Sequence, residues 1–146
     1  MLHSAFAIRL SISFFAISGL DVLGRLDLLD KFRSEYIDWI YNFQIIPMLN
    51  DDDYLERCGF RGSLAATMAL GSQLKDQQNS TINQNGSASS HPLDTSHITM
   101  TYAAINSLLI LGDNLERVNK KAVLAGVKAL QLENGRYSQY LSMVLI

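Results

Sequence analysis

The chain has 146 residues, 48% of them hydrophobic, and a formal net charge of -2. This length suits one ordinary domain with its own core. The 12 Lys and Arg residues are scattered and form no basic stripe of the kind that binds a phosphate backbone, so we expect no nucleic-acid partner. Cys58 is the single cysteine, which excludes an internal disulfide and is typical of a reducing compartment, so we expect a cytoplasmic protein.

The first segment is nearly all apolar over residues 5–20 and carries apolar residues at alternating spacings of four and three. This period predicts a helix, and because its other faces are also mostly apolar we expect neighbours to enclose it. The positions that define the stripe are Ile8, Ile12, Phe15, Gly19, Val22 and Leu26.

Two other interpretations of this segment are weighed. A membrane span needs about 20 continuous apolar residues, and polar residues from Arg9 to Asp21 interrupt this run, so we expect none. A cleaved leader is the second alternative, because residues 16–18 resemble a signal-peptidase site. The missing basic segment before the run and the position of Arg9 inside it argue against a leader.

Residues 31–44 have the pattern of an amphipathic, half-exposed helix. One face is charged, and the residues expected to face inward are Phe32, Tyr36, Ile37, Ile40, Tyr41 and Gln44. Pro47 follows and cannot continue a helix. Residues 50–62 then predict a loop, in which Gly59 and Gly62 can take conformations that a β-carbon would forbid.

A polar segment separates the two halves of the chain. A short helix is expected over residues 63–70. Residues 71–90 are rich in Gln, Asn, Ser and Gly, so we predict a flexible insertion that buries too little apolar surface to become ordered. Two glycosylation sequons, at Asn79 and Asn85, would matter only in a secreted chain.

Two more helices are predicted after the insertion. Thr95 or Ser96 can cap the third, which Gly112 ends, and its apolar stripe is Ile98, Tyr102, Ile105 and Leu109. Asn119 can cap the fourth, whose lysines face outward and whose expected inward residues are Val123, Leu124, Val127, Leu130 and Gln131.

The two halves repeat each other. Phe43-Gln44, followed by Gly59-Phe60, is echoed by Leu130-Gln131, a turn at Asn134-Gly135, and Tyr137. Each half therefore has an apolar helix, an amphipathic helix and a glycine-containing loop. Such recurrence is typical of stacked helical hairpins, in which about three units are needed for stability.

Three stretches carry a resemblance to a known family. They are RLSISFFAISGLD at residues 9–21, DWIYNFQ at 38–44 with RCGFRGS at 57–63, and the residues of 91–133 that include LILGD, RVNK and ALQLE. They resemble the β subunits of type I protein geranylgeranyltransferases, within the protein prenyltransferase β-subunit family.

The resemblance implies an all-α fold, the α-α toroid, in which a barrel of inner helices is ringed by outer ones. Residues 1–146 would supply roughly its first third, as one partial domain. The implied reaction joins a geranylgeranyl group from geranylgeranyl diphosphate to the cysteine of proteins with a C-terminal CaaX sequence, chiefly small GTPases. The implied partner is a prenyltransferase α subunit in a heterodimer.

The resemblance also places a few side chains in the binding pocket. Ser11, Phe15 and Tyr102 match positions that line the end of the isoprenoid channel, and His97 and Thr99 match positions near the last residue of the substrate peptide. Without the resemblance, Phe15 and Tyr102 would be assigned to the core, and His97 would be a local helix cap.

Ser11 bears on the choice of prenyl group. The family's threonine is replaced here by another small residue, whereas a farnesyl enzyme has a bulky aromatic at that position. An extra isoprene unit is worth about 3 to 4 kcal/mol at roughly 0.8 kcal/mol per buried CH₂, so leaving or filling this space can set chain length.

We expect residues 1–146 to lack the catalytic residues of the family. In the family, zinc holds the substrate sulfur as thiolate and is bound by an Asp, a Cys and a His in the C-terminal half. The basic and hydroxyl groups that bind the diphosphate lie in that half too. No substitute zinc site is expected, because His91, His97 and Cys58 lack ligand spacing. We therefore expect no catalytic residue, no metal and no activity from this chain alone. The alternative is a non-enzymatic helical-repeat scaffold, which could be secreted.

Overall fold

The computed structural model describes residues 9–46, 52–62 and 96–138. These ranges contain four α-helices, which are α1 Arg9–Val22, α2 Arg33–Tyr41, α3 Ile98–Ile110 and α4 Lys120–Ala129. They also contain 3₁₀ helices at Leu26–Phe32 and Asp52–Arg57 and two short strands, β1 Gln44–Ile45 and β2 Gly59–Phe60. The prediction of a mainly helical chain is confirmed.

The prediction of one helix over residues 31–44 is wrong at both ends. A 3₁₀ helix precedes α2, and the chain leaves the helix after Tyr41 so that β1 can pair with β2 in antiparallel register. The Arg61 amide donates to the Phe43 carbonyl at 3.0 Å. Because these contacts join residues distant in sequence, the helical period of residues 31–44 could not reveal them.

The core lies between α1, α2 and α3. The helix α1 packs mainly on α3, whose buried residues include the small Ala103, Ala104 and Ser107 as well as Leu108. The large, fully buried side chains of this region are Leu10, Ile40, Phe43, Phe60, Leu108 and Leu111.

The expectation that neighbours enclose the first helix is wrong in the described part of the chain. Leu10 and Ile17 are the buried residues of α1, whereas the stripe predicted from the sequence is exposed, with Phe15 at 71%. The stripe of α3 is likewise exposed at Tyr102 and Leu109. The physical reason is that different faces of these helices pack inward, at Leu10 and Ile17 on α1 and at Ala104 and Leu108 on α3.

The ends of α3 and α4 test the predicted caps. His97, rather than Thr95 or Ser96, is the N-cap of α3, and Ser96 is buried with its amide donating to the Arg57 carbonyl. Gly112 follows α3 with a φ of +83°, as its predicted role requires.

The N-cap of α4 is the predicted one, because the Asn119 side chain accepts from the Ala122 amide at 3.1 Å. Two residues expected to face inward, Leu124 and Gln131, are exposed. The small residues Ala122 and Gly126 form the buried face of α4 together with Val123, which turns Leu124 outward.

The internal repeat is confirmed by matching backbone pairs. Gln44 pairs with Phe60, and Gln131 pairs with Tyr137. The amide of the residue after each aromatic, Ser138 in the second unit, donates to the carbonyl of the residue before each glutamine, Leu130 in the second unit. Residues 9–62 and 96–138 thus contain two hairpin units with the same closing ladder, which we name unit one and unit two.

The two units approach closely at two glycines, Gly126 and Gly59. A β-carbon built on Gly126 of α4 would lie 1.9 Å from the Cys58 carbonyl oxygen, and one on Gly59 would lie 2.7 Å from the Ser96 β-carbon. Gly59 also has a φ of +146°. Glycine at both positions therefore lets unit two lie directly on the loop of unit one.

Polar contacts join α2 to the loop between α3 and α4. The Tyr41 hydroxyl donates to Asp113 Oδ1 at 2.6 Å, and the Arg117 guanidinium lies 4.1 Å from the centre of the Tyr41 ring. Burial and the hydrogen bond to the Asp113 carboxylate raise the pKa of Tyr41 well above its usual range. This phenol therefore stays protonated and holds the loop against α2.

Several predictions lie outside the described residues. These are residues 1–8 of the leader-like start, the short helix at residues 63–70, the insertion at 71–90 with its sequons, and the apolar last residues. Within the ranges that the structure describes, no helix is both long and apolar enough to cross a membrane.

Candidate functional site

The packing of α1 on α3 links Phe15 and Tyr102 through Phe14 and places Ser11 beside Met100. Ser11 and Phe15 lie one turn apart on α1, and so share a face. The Ser11 hydroxyl donates to the sulfur of Met100 at 3.4 Å, two residues before Tyr102 on α3. The small residue at position 11 therefore lies where the two helices meet.

An aromatic cluster connects Phe15 and Tyr102. The Phe14 ring lies 5.5 Å from the Phe15 ring and 5.7 Å from the Tyr102 ring, the latter edge to face. Phe15 is 71% exposed and Tyr102 59% exposed. Neither belongs to the core, although an aromatic on an apolar helix usually does.

Phe14 was missed by the sequence analysis. It joins the two helices, and the only sequence signal was its position directly beside Phe15, which a one-face periodicity does not capture. With Ile12 and Leu109, also more than half exposed, the cluster forms an apolar surface that we name the aromatic face: Ile12, Phe14, Phe15, Tyr102 and Leu109.

His97 and Thr99 lie at the N-terminus of α3. The His97 Nδ1 atom accepts from the Thr99 amide at 3.1 Å, so the local-cap role is present. Burial lowers the pKa of the His97 imidazole below its ordinary value of 6.5, and a neutral ring is the form that can accept this bond. Thr99 is exposed, and it lies on the same helix as Tyr102.

A separate cleft of about 420 Å³ lies between α1 and the start of α2. Its lining residues are Ser13, Phe32, Glu35, Tyr36 and Trp39. It contains none of the five predicted site residues.

The described residues give little support for a metal site or for a cysteine nucleophile. Across residues 9–46, 55–62 and 96–138, no three His, Cys, Asp or Glu side chains are grouped so that they could hold a metal ion. Cys58 is fully buried, and burial raises the pKa of its thiol to about 11. A protonated, enclosed thiol is neither a ready nucleophile nor a ready zinc ligand.

Comparison with known proteins identifies the fold. The family model described as the prenyltransferase alpha-alpha toroid domain matches residues 1–143. The chain belongs to this family. The assignment of α1 and α3 as inner helices and of α2 and α4 as outer helices stays a prediction from the resemblance.

Curated relatives carry one name. The "Geranylgeranyl transferase type-1 subunit beta" of Dictyostelium discoideum is 36% identical over 129 residues, which cover 86% of this chain and 34% of that protein. The protein of the same name from Arabidopsis thaliana is 30% identical over 133 residues, covering 88% of this chain and 30% of its own length. This toroid chain spans about a third of the length of the curated relatives it matches.

The family's zinc does not fit the described part of this toroid. Among the described residues no three His, Cys, Asp or Glu side chains are grouped, and the His97 imidazole is used as a helix cap. The toroid fold and the similarity to two geranylgeranyltransferase β subunits are thus established. The roles of the five site residues stay predictions.

Proposed function

We propose that this chain supplies part of the isoprenoid-binding wall of a type I protein geranylgeranyltransferase β subunit. The observation that carries the proposal is the aromatic face. Two inner helices leave large apolar side chains exposed beside a small residue, Ser11. The names of the Dictyostelium and Arabidopsis relatives support the same reading.

The chemistry of the aromatic face suits a hydrocarbon chain. Aromatic and aliphatic side chains line it, and the Tyr102 hydroxyl is its ionisable group. An isoprenoid laid across Phe15 and Tyr102 would remove their exposed surface from water, which is favourable at about 25 cal/mol per Å². The small side chain of Ser11 leaves space for the last isoprene unit, which favours geranylgeranyl over farnesyl.

The remaining roles extend the proposal. His97 and Thr99, at the start of α3, are proposed to lie near the end of the substrate peptide. The whole assembly would pair with a prenyltransferase α subunit, act in the cytoplasm and modify CaaX proteins such as small GTPases. We propose that these 146 residues have no transferase activity alone, because they span about a third of the length of the curated relatives.

Photocrosslinking tests the wall. A geranylgeranyl chain bearing a diazirine at its end is irradiated with the protein, and labelled residues are found by mass spectrometry. We expect labelling at Phe15 and Tyr102, with competition by unlabelled geranylgeraniol. Leu124, an exposed apolar residue on the outer helix α4, is the internal control. Equal labelling of Leu124 would contradict the proposal.

Two further measurements test activity and location. The purified chain, supplied with zinc, labelled geranylgeranyl diphosphate and a CaaX peptide ending in Leu, is expected to transfer no label. Clear turnover would refute the inactivity claim. Glycosylation at Asn79, or cleavage after Ser18 in cells, would instead support a secreted scaffold.

A further inference from the structure

The cleft between α1 and the start of α2 combines aromatic rings with a carboxylate. Four of its lining residues are Phe32, Glu35, Tyr36 and Trp39. They lie three or four positions apart, starting from Phe32 at the N-cap of α2, and so share one face of the helix. Ser13 of α1 completes the lining. No residue of the aromatic face lines this cleft, so it is separate from the proposed isoprenoid wall.

The three rings are only partly covered by the rest of the protein. Phe32 is 46% exposed and Tyr36 is 38% exposed, although the sequence pattern predicted that both face inward. Trp39 is half-buried, and its ring contacts the buried Phe43 ring edge to face, with 4.7 Å between the ring centres. This contact holds the Trp39 ring in place. The rings therefore remain accessible to a small ligand.

Glu35 has no salt-bridge partner among the residues that the structure describes. Its side chain is exposed. Arg33, the nearest cation along α2, pairs with Asp30 and donates to the Leu111 carbonyl. The Glu35 carboxylate therefore gives the cleft a negative charge that a bound cation would neutralise.

The chain's own lysine shows that a ring at this cleft attracts an ammonium group. The Lys31 ammonium nitrogen lies 5.2 Å from the centre of the Phe32 ring. A cation within about 6 Å of a ring centre is attracted by the negative face of the ring. Lys31 is not among the residues that line the cleft, so this internal cation does not fill it.

From the three rings, the carboxylate and the size of the cleft, we infer that it binds a small molecule bearing a methylated ammonium group. The rings cover the methyl groups and attract the positive charge, and the Glu35 carboxylate neutralises that charge. A primary ammonium fits less well, because it is strongly hydrated and loses this water in an apolar cleft. The volume of about 420 Å³ lies in the lower half of the range for small-molecule pockets.

Trp39 provides the readout, because it is the single tryptophan of the chain. Its fluorescence is followed while the full chain is titrated with choline chloride at constant ionic strength, and calorimetry measures the heat of binding. We expect a saturable change with a dissociation constant of about 1 mM. The neutral isostere 3,3-dimethyl-1-butanol has nearly the same shape without the charge, and is expected to bind about tenfold more weakly.

Two substitutions separate the charge from the rings. Glu35→Gln keeps the size of the side chain and removes its charge, so choline binding is expected to weaken about tenfold. Tyr36→Leu keeps an apolar side chain and removes one ring, which is expected to weaken binding roughly three- to fivefold. Glu133→Gln removes an exposed carboxylate of unit two and is the matched control, with no change expected. The thermal midpoint should stay the same in all three variants, because these side chains are exposed.

Four results would overturn the inference. Choline could produce neither a saturable change in fluorescence nor a heat of binding. Choline and its neutral isostere could bind equally well, which would identify an apolar cleft without preference for a cation. Glu35→Gln could have no more effect than Glu133→Gln. A peptide containing trimethyl-lysine could bind much more tightly than choline, which would identify a protein segment as the occupant in place of a small molecule.

Discussion

At the scale of single residues, Gly126 decides how closely the two hairpin units can approach. Its absent β-carbon leaves room for the Cys58 carbonyl, which such an atom would meet at 1.9 Å. The obstacle is backbone, so no side-chain rotation can relieve it. A methyl group there must push α4 away from unit one.

Gly126→Ala is therefore expected to destabilise the protein by about 3 kcal/mol, at the upper part of the range for overpacking. The free energy of unfolding in urea measures it. Gly19→Ala is the matched control, because nothing lies within 4 Å of its added carbon. In the middle of α1 that change should stabilise by about 0.5 to 1 kcal/mol. Equal effects of the two substitutions would contradict the close approach.

His97 links a helix cap to pH. Burial lowers the pKa of its imidazole below 6.5, so the unfolded chain takes up the proton first as the pH falls. Stability is thus complete above about pH 6.5 and decreases as the pH falls toward the folded pKa. Protonation also turns the Nδ1 acceptor into a donor, which opposes the Thr99 amide.

His97→Asn tests this linkage, because asparagine is a good N-cap without a titrating group. We expect the variant to match the natural chain in urea unfolding at pH 7.5 and to lose less stability at pH 5.5. The same loss in both proteins would show that His97 is not the responsible group.

At the scale of elements, the start of α4 depends on a side chain from the other unit. Gln44 is 7% exposed and bonds to both the carbonyl of Arg117 and the amide of Asn119. Its loss leaves these groups without their partner at the unit boundary, and groups left unsatisfied cost about 1 to 3 kcal/mol each when buried.

Gln44→Ala is expected to lower the free energy of unfolding by about 2 kcal/mol, since both of its bonds are partly accessible to water. Gln131→Ala is its control in the same chain, with an expected change within about 0.5 kcal/mol because that residue is exposed. Chemical denaturation of the two variants provides the comparison. A larger loss for Gln131→Ala would contradict the contact assignment.

The existence of the helices was predictable from the apolar period, whereas their orientation was not. The stripes of α1 and α3 gave the helical pattern correctly, but Phe15 and Tyr102 point away from the core because other positions, such as Leu10 and Leu108, pack inward. Periodicity shows that residues share a face. It does not show which face a neighbour covers.

At the scale of the molecule, we expect substitutions in the exposed aromatic face to cost less stability than substitutions in the buried core. Phe15→Ala is expected to change the free energy of unfolding by less than about 1 kcal/mol, losing mainly ring contacts with Phe14. Phe60→Ala removes a fully buried ring and should cost about 3 to 5 kcal/mol. Thermal and urea unfolding measure both changes. A similar loss of stability in Phe15→Ala would show that Phe15 belongs to the core.

The repeat was predictable in outline, and the docking of its units was not. Gln44 and Gln131 are the same residue type in the same register, yet one is buried and the other exposed, because burial depends on what packs next. The candidate site depended on resemblance for Ser11, Phe15 and Tyr102. Phe14 was not predicted, because its contact with Tyr102 joins α1 to α3.

The ladder that closes each unit keeps its register over loops of unequal length. Residues 45–59 separate Gln44 from Phe60, while only residues 132–136 separate Gln131 from Tyr137. The entropic cost of closing a loop grows only with the logarithm of its length. The pairing of the two loop ends therefore tolerates a large change in the number of residues between them. Evolution can therefore lengthen or shorten this part of a unit while the inner helices keep their place around the ring.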